Sequence, residues 1–275
     1  MRPPPYASPA ERAWHATLWA LCILTLAFLV LPIFVIVPLS FSSGSFLTFP
    51  LPGLSLRWYQ EFFTSGPWQL SLRNSLIVAS AATVLATALG TLAALGLTRA
   101  SLPGKSLLMG LILSPMVVPL VIIAVGVYFF YAPFGLTGSL LGLTLAHTAL
   151  AVPFVVITVA ATLQGFDPNQ ARAGASLGAS PVVVFRRITL PLILPGVISG
   201  ALFAFVTSFD EVVVALFLTG PGERTLPRQM FNGIRENISP VIAAAATILI
   251  CVSVFILTTV ELLRRRNERL RGIRA

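Results

Sequence analysis

Two neighbouring carboxylates, Asp210 and Glu211, lie inside a long apolar run at about residues 196–218. If that run crosses a membrane, a charge at its centre costs about 2.5–3.5 kcal/mol, so two in succession are not expected to face lipid. Neighbouring helix positions differ by about 100°, so the two side chains should have different surroundings. We expect at least one of them to line a path for a cationic solute; the alternatives are a hydrogen-bonded contact between helices and the support of an outer gate.

The segment 166–195 separates two apolar runs and is much longer than a simple connection needs. Asp167 and Ser180 are good N-cap residues, and each is followed by proline, which is favoured at the first position of a helix. Gly178, between them, suits the end of the first helix. The sequence therefore predicts two short helices joined by a turn. They would form either a docking surface for a partner or an amphipathic surface on lipid.

Side chains that bind metals or act as nucleophiles are few and scattered. His15 and His147 are far apart, and no residues have the spacing of a metal site. Cys22 and Cys251 lie in apolar runs, which favours small apolar residues over a disulfide. We therefore expect no metal, no catalytic residues and no enzymatic activity. His147 is expected to form a hydrogen bond between helices.

The composition places the elements that carry these residues in a membrane. Of the 275 residues, 56% are hydrophobic and 10% are charged, and the mean hydropathy is +0.92. A soluble domain of this length needs more charge to cover its surface. The net charge of +9 is carried by loops and tails between apolar runs, which indicates membrane topology and not nucleic-acid binding.

Six apolar runs are each long enough to cross about 30 Å of hydrocarbon as a helix. The sequence therefore predicts an all-α, polytopic membrane protein with six transmembrane helices, kinked where prolines occur. In the fifth run Gly196, Gly200 and Ala204 recur every four positions, which predicts close helix packing. The runs cover about residues 15–39, 75–97, 106–131, 140–163, 196–218 and 241–263.

Basic residues are divided unequally between the two sides of these spans. Thirteen of the 18 Lys and Arg residues fall on one side, which also holds segment 166–195. That side is expected to face the cytoplasm, together with both termini. The predicted organisation is an N-terminal tail at 1–14, a six-span domain at 15–263 with its core at 75–263, and a basic tail at 264–275 on anionic lipid.

The two-helix segment resembles the EAA loop of binding-protein-dependent ABC permeases. That motif begins Glu-Ala-Ala, continues to a glycine and ends Ile-x-Leu-Pro. Here Arg172 stands in place of the Glu and Gly174 in place of the second Ala, so an acidic partner residue is implied. The resemblance implies that the segment couples the chain to an ATPase. The residues at the motif positions are Arg172, Ala173, Gly174, Gly178, Ile188, Leu190 and Pro191.

Four further stretches resemble the spermidine/putrescine permeases of the PotC type, at 208–212, 217–222, 225–227 and 238–240. The resemblance covers nearly the whole chain. It implies a type I ABC importer permease fold, in which this chain forms half of the translocation path for polyamines across the inner membrane. Because polyamines are flexible polycations, a carboxylate of Asp210 or Glu211 in that path makes physical sense.

The same resemblance implies the partners of the chain. They are a second permease subunit of the PotB type, a dimer of ATP-binding subunits of the PotA type, and a periplasmic substrate-binding protein of the PotD type. ATP would be bound by the ATPase partner, and this chain would hold no cofactor of its own.

Two alternatives stay open. The same fold could import another small solute, such as an aminoalkyl phosphonate, an opine or ferric iron. An ion-coupled secondary transporter would use Asp210 or His147 as a proton site. Such transporters usually have inverted repeats, and neither these nor a use for segment 166–195 in such a transporter is evident from the sequence.

Overall fold

The computed structural model describes residues 6, 8–99, 103–165, 167–236 and 238–270. Over these residues the secondary structure is helical, apart from an isolated bridge, which confirms the predicted all-α class. The helices are α1 (Pro9–Ser40), α2 (Arg57–Thr64), α3 (Gly66–Arg99), α4 (Lys105–Leu113), α5 (Leu120–Tyr131), α6 (Leu140–Gln164), α7 (Pro168–Ser176), α8 (Pro181–Val184), α9 (Leu190–Phe209), α10 (Val213–Leu218), α11 (Leu226–Glu236) and α12 (Pro240–Leu270).

The predicted terminal tails overlap helices. α1 begins before the predicted residue 15 because Ser8 and Glu11 form a capping box, in which each side chain bonds the backbone N–H of the other residue. α12 extends into the predicted tail 264–275. Residues 1–5, 7, 166 and 271–275 of the predicted tails and loop lie outside the described residues.

Four of the described helices are long and apolar enough to cross a membrane, and a bent pair would make a fifth span. The described apolar part of α12, Pro240–Phe255, is shorter. The chain is therefore a multi-pass membrane protein, and the count of six spans stays a prediction. The four long helices are Pro9–Ser40, Gly66–Thr98, Leu140–Gln164 and Pro181–Phe209.

The bent pair corrects the third predicted span, 106–131. The helical stretches Lys105–Met116 and Leu120–Phe134 meet at an angle of 101°. Pro119 lies at the corner, as the N-cap of α5. Because proline cannot donate a backbone hydrogen bond and disfavours helical conformation before it, the expected kink is a complete break.

The chain forms two compact units, one of residues up to 63 with 233–254, the other of 64–232 with the residues from 255 onward. In the first unit, the Trp58 indole donates to the Ser42 carbonyl at 2.8 Å, and the hydroxyls of Ser40 and Tyr59 share a hydrogen bond of 2.7 Å. These bonds fix α2 against the end of α1.

In the second unit α3, α6 and α9 pack against one another. Small residues allow α9 to lie close to α6. A methyl group at Gly200 would lie only 2.6 Å from Oγ1 of Thr158 and 3.0 Å from Cα of Val155. Ala204, one turn further along α9, is fully buried. The predicted small-residue stripe therefore packs on α6.

A second apolar cluster in this unit surrounds α10. Val214 and Leu218 of α10 are buried together with Leu143 and Leu150 of α6 and Ala124 of α5. This burial holds a six-residue helix that could not be stable alone. It also fixes the C-terminal side of the helix break at residues 210–212, between α9 and α10, which carries the two candidate carboxylates.

Candidate functional site

The fifth predicted span, 196–218, is wrong as a single helix. α9 ends at Phe209, Asp210 is its C-cap, and α10 begins only at Val213. The Glu211 carboxylate accepts hydrogen bonds from the backbone N–H groups of Val214, at 2.9 Å, and Ala215, at 3.1 Å. In a continuous helix these two N–H groups would bond main-chain carbonyls. Here the carboxylate takes the place of those carbonyl acceptors and caps the start of α10.

The Glu211 side chain is buried, and His147 of α6 lies beside it. His147 Nε2 is 3.4 Å from Glu211 Oε2, within ion-pair distance although without hydrogen-bond geometry. The other ring nitrogen of His147, Nδ1, shares a hydrogen bond of 2.8 Å with the Ser208 hydroxyl on the last turn of α9. His147 thus forms the interhelical hydrogen bond expected from the sequence. Its contact with Glu211 was not predicted.

Asp210 has different surroundings, because its side chain is exposed and lines a cavity of about 490 Å³. No hydrogen bond to its carboxylate occurs within the described part of the chain. The walls are largely apolar, so a cation in the cavity would meet a carboxylate in a medium that screens its charge poorly. The other lining residues are Pro115, Met116, Leu120, Leu150, Phe154, Val206, Thr207, Glu211, Val212 and Val213.

Hydrogen bonds from α3, which sequence reasoning missed, hold the loop after α10. The Asn74 amide donates to the carbonyls of Gly222, at 3.0 Å, and Arg224, at 3.1 Å, and the Ser75 hydroxyl accepts from Leu226 N–H at 2.7 Å. The donor and acceptor are about 150 residues apart in sequence, so no local pattern indicates the contact.

Arg228 bonds the same loop from its other side. Its guanidinium donates to the Thr219 carbonyl and hydroxyl and, at 3.2 Å, to the Gly220 carbonyl. Partial burial lowers the pKa of the Arg228 guanidinium, and the nearby charge of Arg224 lowers it further. A cation at the C-terminal end of α10 also complements the dipole of that helix, as Glu211 does at the other end.

The second candidate site is the predicted two-helix segment, here called the ledge (residues 167–189). Asp167 caps α7 by accepting from the Asn169 N–H at 2.9 Å. After α7 the chain turns at Gly178, whose φ of +85° lies in the left-handed region that favours glycine. Ser180 is the N-cap residue of α8, as predicted, although no side-chain bond forms there.

Gly174 and Ile188 meet inside the ledge. A methyl group at Gly174 would lie 2.5 Å from Cδ1 of Ile188, so the glycine lets α7 pack closely on the π-helical turn. This contact explains one of the two departures from the EAA pattern. The Ile188 side chain occupies the space that the methyl group of an alanine at position 174 would need.

The second predicted short helix is not separate, because the chain is helical without interruption from Pro181 to Phe209. A π-helical turn, Phe185–Thr189, joins α8 to α9, and Leu190 N–H donates to the Phe185 carbonyl five residues back. Pro191 follows directly. The wider turn accommodates a proline, which lacks an N–H and would clash with the carbonyl four residues back.

The outer surface of the ledge combines small, basic and apolar side chains. Arg172 and Ala173 on α7 are exposed, as are Arg186 and Arg187 on the π-helical turn. Leu177, at the end of α7, is 89% exposed. Leu190 and Pro191 belong to the start of α9, where Leu190 is half-buried and Pro191 is exposed. The coupling role of these residues, like the transport role of Asp210 and Glu211, stays a prediction.

Comparison with known proteins gives relatives that match over most of the chain. Residues 86–270 match the family described as binding-protein-dependent transport system inner membrane component. The spermidine/putrescine transport system permease protein PotC of Haemophilus influenzae is 33% identical over 242 residues, which cover 88% of this chain and 94% of PotC. The putrescine transport system permease protein PotI of Escherichia coli K12 is 34% identical, over 84% of this chain and 85% of PotI.

The fold has solved counterparts. A bacterial ABC transporter involved in the import of the acidic polysaccharide alginate superposes with a TM-score of 0.73 at 15% identity. The match covers 94% of this chain and 98% of that one, which shows the fold. The chain belongs to the family of binding-protein-dependent transport system inner membrane components and is an ABC importer permease.

Proposed function

We propose that this permease forms half of a translocation path for polyamines, with spermidine and putrescine as the cargo. The observation that carries the proposal is the exposed carboxylate of Asp210 in a largely apolar cavity, without a partner among the described residues. The names of the PotC and PotI relatives support the same cargo.

The cavity suits the chemistry of a polyamine. Each ammonium group needs an anionic or polar partner, and the Asp210 carboxylate supplies one. The methylene segments between ammonium groups favour apolar contact, which Leu150, Phe154 and Met116 offer. Glu211 is engaged by His147 and by α10, so Asp210 is the carboxylate that would meet the cargo.

The ledge would couple ATP hydrolysis in a partner subunit to movement of the membrane-spanning helices. In this proposal the exposed face of α7, with Arg172 and Ala173, docks on a dimer of PotA-type subunits that bind ATP. Arg172 would meet an acidic residue there. A PotB-type permease would complete the path, and a PotD-type binding protein would deliver the cargo. In this proposal the chain crosses the inner membrane six times, and both of its termini lie in the cytoplasm.

The test is uptake of labelled spermidine by vesicles that contain the chain with the products of its neighbouring genes. We expect Asp210→Asn, which removes only the charge, to reduce uptake at least tenfold, since one charged hydrogen bond contributes about 1.5–3 kcal/mol. Glu61→Gln, at an exposed acid on α2, is the matched control and should transport normally.

Two results would go against the proposal. Normal uptake by Asp210→Asn would remove Asp210 from the path. Binding of an aminoalkyl phosphonate, an opine or ferric iron, but of no polyamine, by the accompanying binding protein would change the cargo. A protonophore separates the ATP-driven mechanism, which it should not stop, from an ion-coupled one.

A further inference from the structure

His147 connects the two sides of the helix break at residues 210–212, where α9 has ended and α10 has not yet begun. It bonds Ser208 before the break through Nδ1 and contacts Glu211 within the break through Nε2. His147, Ser208 and Glu211 are all buried, so no solvent competes for these contacts. The mechanism proposed above uses none of the three side chains directly, although each is polar and costly to bury without a partner.

The Glu211 carboxylate holds the break open. It occupies the N–H groups of Val214 and Ala215. If the carboxylate were released, these N–H groups would regain the carbonyls of residues 210 and 211, and the chain would continue as a regular helix. The added turn would place Val214 on the same helix face as Asp210, and the Val214 side chain, which leans toward the N-terminal end of the helix, would cover residue 210 from the cavity.

We propose that His147 and Ser208 are positioning residues for Asp210. They anchor the Glu211 carboxylate at the end of α9, and the anchored carboxylate keeps the break that presents Asp210 to the cavity. This inference rests on the proposed function only in assigning a use to Asp210. The geometric claim, that His147 keeps residue 210 open to the cavity, can be measured without transport.

The test is chemical labelling at position 210 in the full chain. Cys22 and Cys251, the free cysteines of the described chain, are replaced by serine, and Asp210→Cys supplies a single thiol. The probe is a water-soluble methanethiosulfonate reagent, and the readout is the labelling rate in membrane vesicles opened with mild detergent. His147→Ala, His147→Gln and Ser208→Ala are added one at a time to this background.

Thr148→Val is the matched control variant. Thr148 is buried beside His147 on α6, but its hydroxyl bonds the Thr144 carbonyl of its own helix at 2.7 Å. The labelling rate should therefore be the same with Thr148→Val as without it. A general loosening of α6 would instead change the rate in the control as well.

We expect His147→Ala to lower the labelling rate about tenfold, the effect of leaving a buried polar partner unpaired. His147→Gln, whose amide can still reach Glu211, should retain more of the rate. Spermidine uptake, measured with Asp210 restored, should fall in the same order. If His147→Ala does not reach the membrane, Ser208→Ala carries the test and should also lower the rate.

Failure of this proposal differs from failure of the proposed function. An unchanged labelling rate in His147→Ala, or in Ser208→Ala where the former is not produced, overturns the positioning role and leaves polyamine transport standing. Normal uptake by Asp210→Asn overturns the proposed function and leaves the geometric result standing. An equal loss of labelling in Thr148→Val also overturns the positioning role, because the effect would then not be specific to His147.

Discussion

At the scale of single residues, Asp210 and Glu211 show how position decides the role of one chemical group. Both are carboxylates next to each other in an apolar region, and the sequence predicts only that their surroundings differ. The structure adds that Glu211 is buried against His147, 64 residues earlier in the chain, while Asp210 faces a cavity. The partner of Glu211 could not be predicted, because it depends on how α6 and α9 pack.

This difference makes a prediction about stability. Glu211→Ala removes the carboxylate that caps α10 and leaves Nε2 of the buried His147 without its polar neighbour, so it should lower the free energy of unfolding by about 1–3 kcal/mol. Asp210→Asn removes no described hydrogen bond and should have little effect. Thermal unfolding of the two purified variants in detergent compares them directly. An equal loss in both would show that the two carboxylates are not distinct in the fold.

At the scale of helices, the small-residue stripe of α9 was predictable because its period matches a helical face. The contact it makes leads to a second stability prediction. Gly200→Ala should be destabilised by about 1–3 kcal/mol, because the added methyl group meets Thr158 and the backbone of Val155. Gly96→Ala on α3 is the control, since nothing lies within 4 Å of its added methyl group. Similar melting temperatures for both would contradict the tight α6–α9 contact.

The ledge allows a third prediction, about the turn between α7 and α8. Gly178→Ala places a side chain at a positive φ, which costs about 1–2 kcal/mol for an L-residue, and should misplace α7. We expect less ATPase subunit to co-purify with the variant. Gly165→Ala, at a negative φ with its nearest contact at 3.7 Å, should leave co-purification unchanged. If the full amount of ATPase co-purified with Gly178→Ala, the conformation of this turn would not be needed for docking.

The interruptions of the helices were harder to predict than the helices themselves. Hydrophobic runs and caps gave α1, α3, α6 and α7, because those signals are local. The break at Pro119 has a local cause, but a proline gives anything from a mild kink to a full corner, whereas the break at Asp210 involves the contact of Glu211 with the distant His147. The predicted spans 106–131 and 196–218 failed for these reasons.

At the scale of the whole molecule, composition alone placed the chain in a membrane, and the family match agrees with it. We propose that a separate ATPase drives this permease to import polyamines past Asp210.

The most direct test is accumulation of labelled spermidine in vesicles that contain the complete set of subunits, with ATP supplied on the ATPase side. We predict that accumulation requires ATP, the binding protein and this chain, and that it persists when a protonophore collapses the ion gradient. Accumulation without the ATPase, driven by the gradient alone, would show that ATP does not drive this permease. No accumulation of any polyamine by the complete complex would show that polyamines are not its cargo.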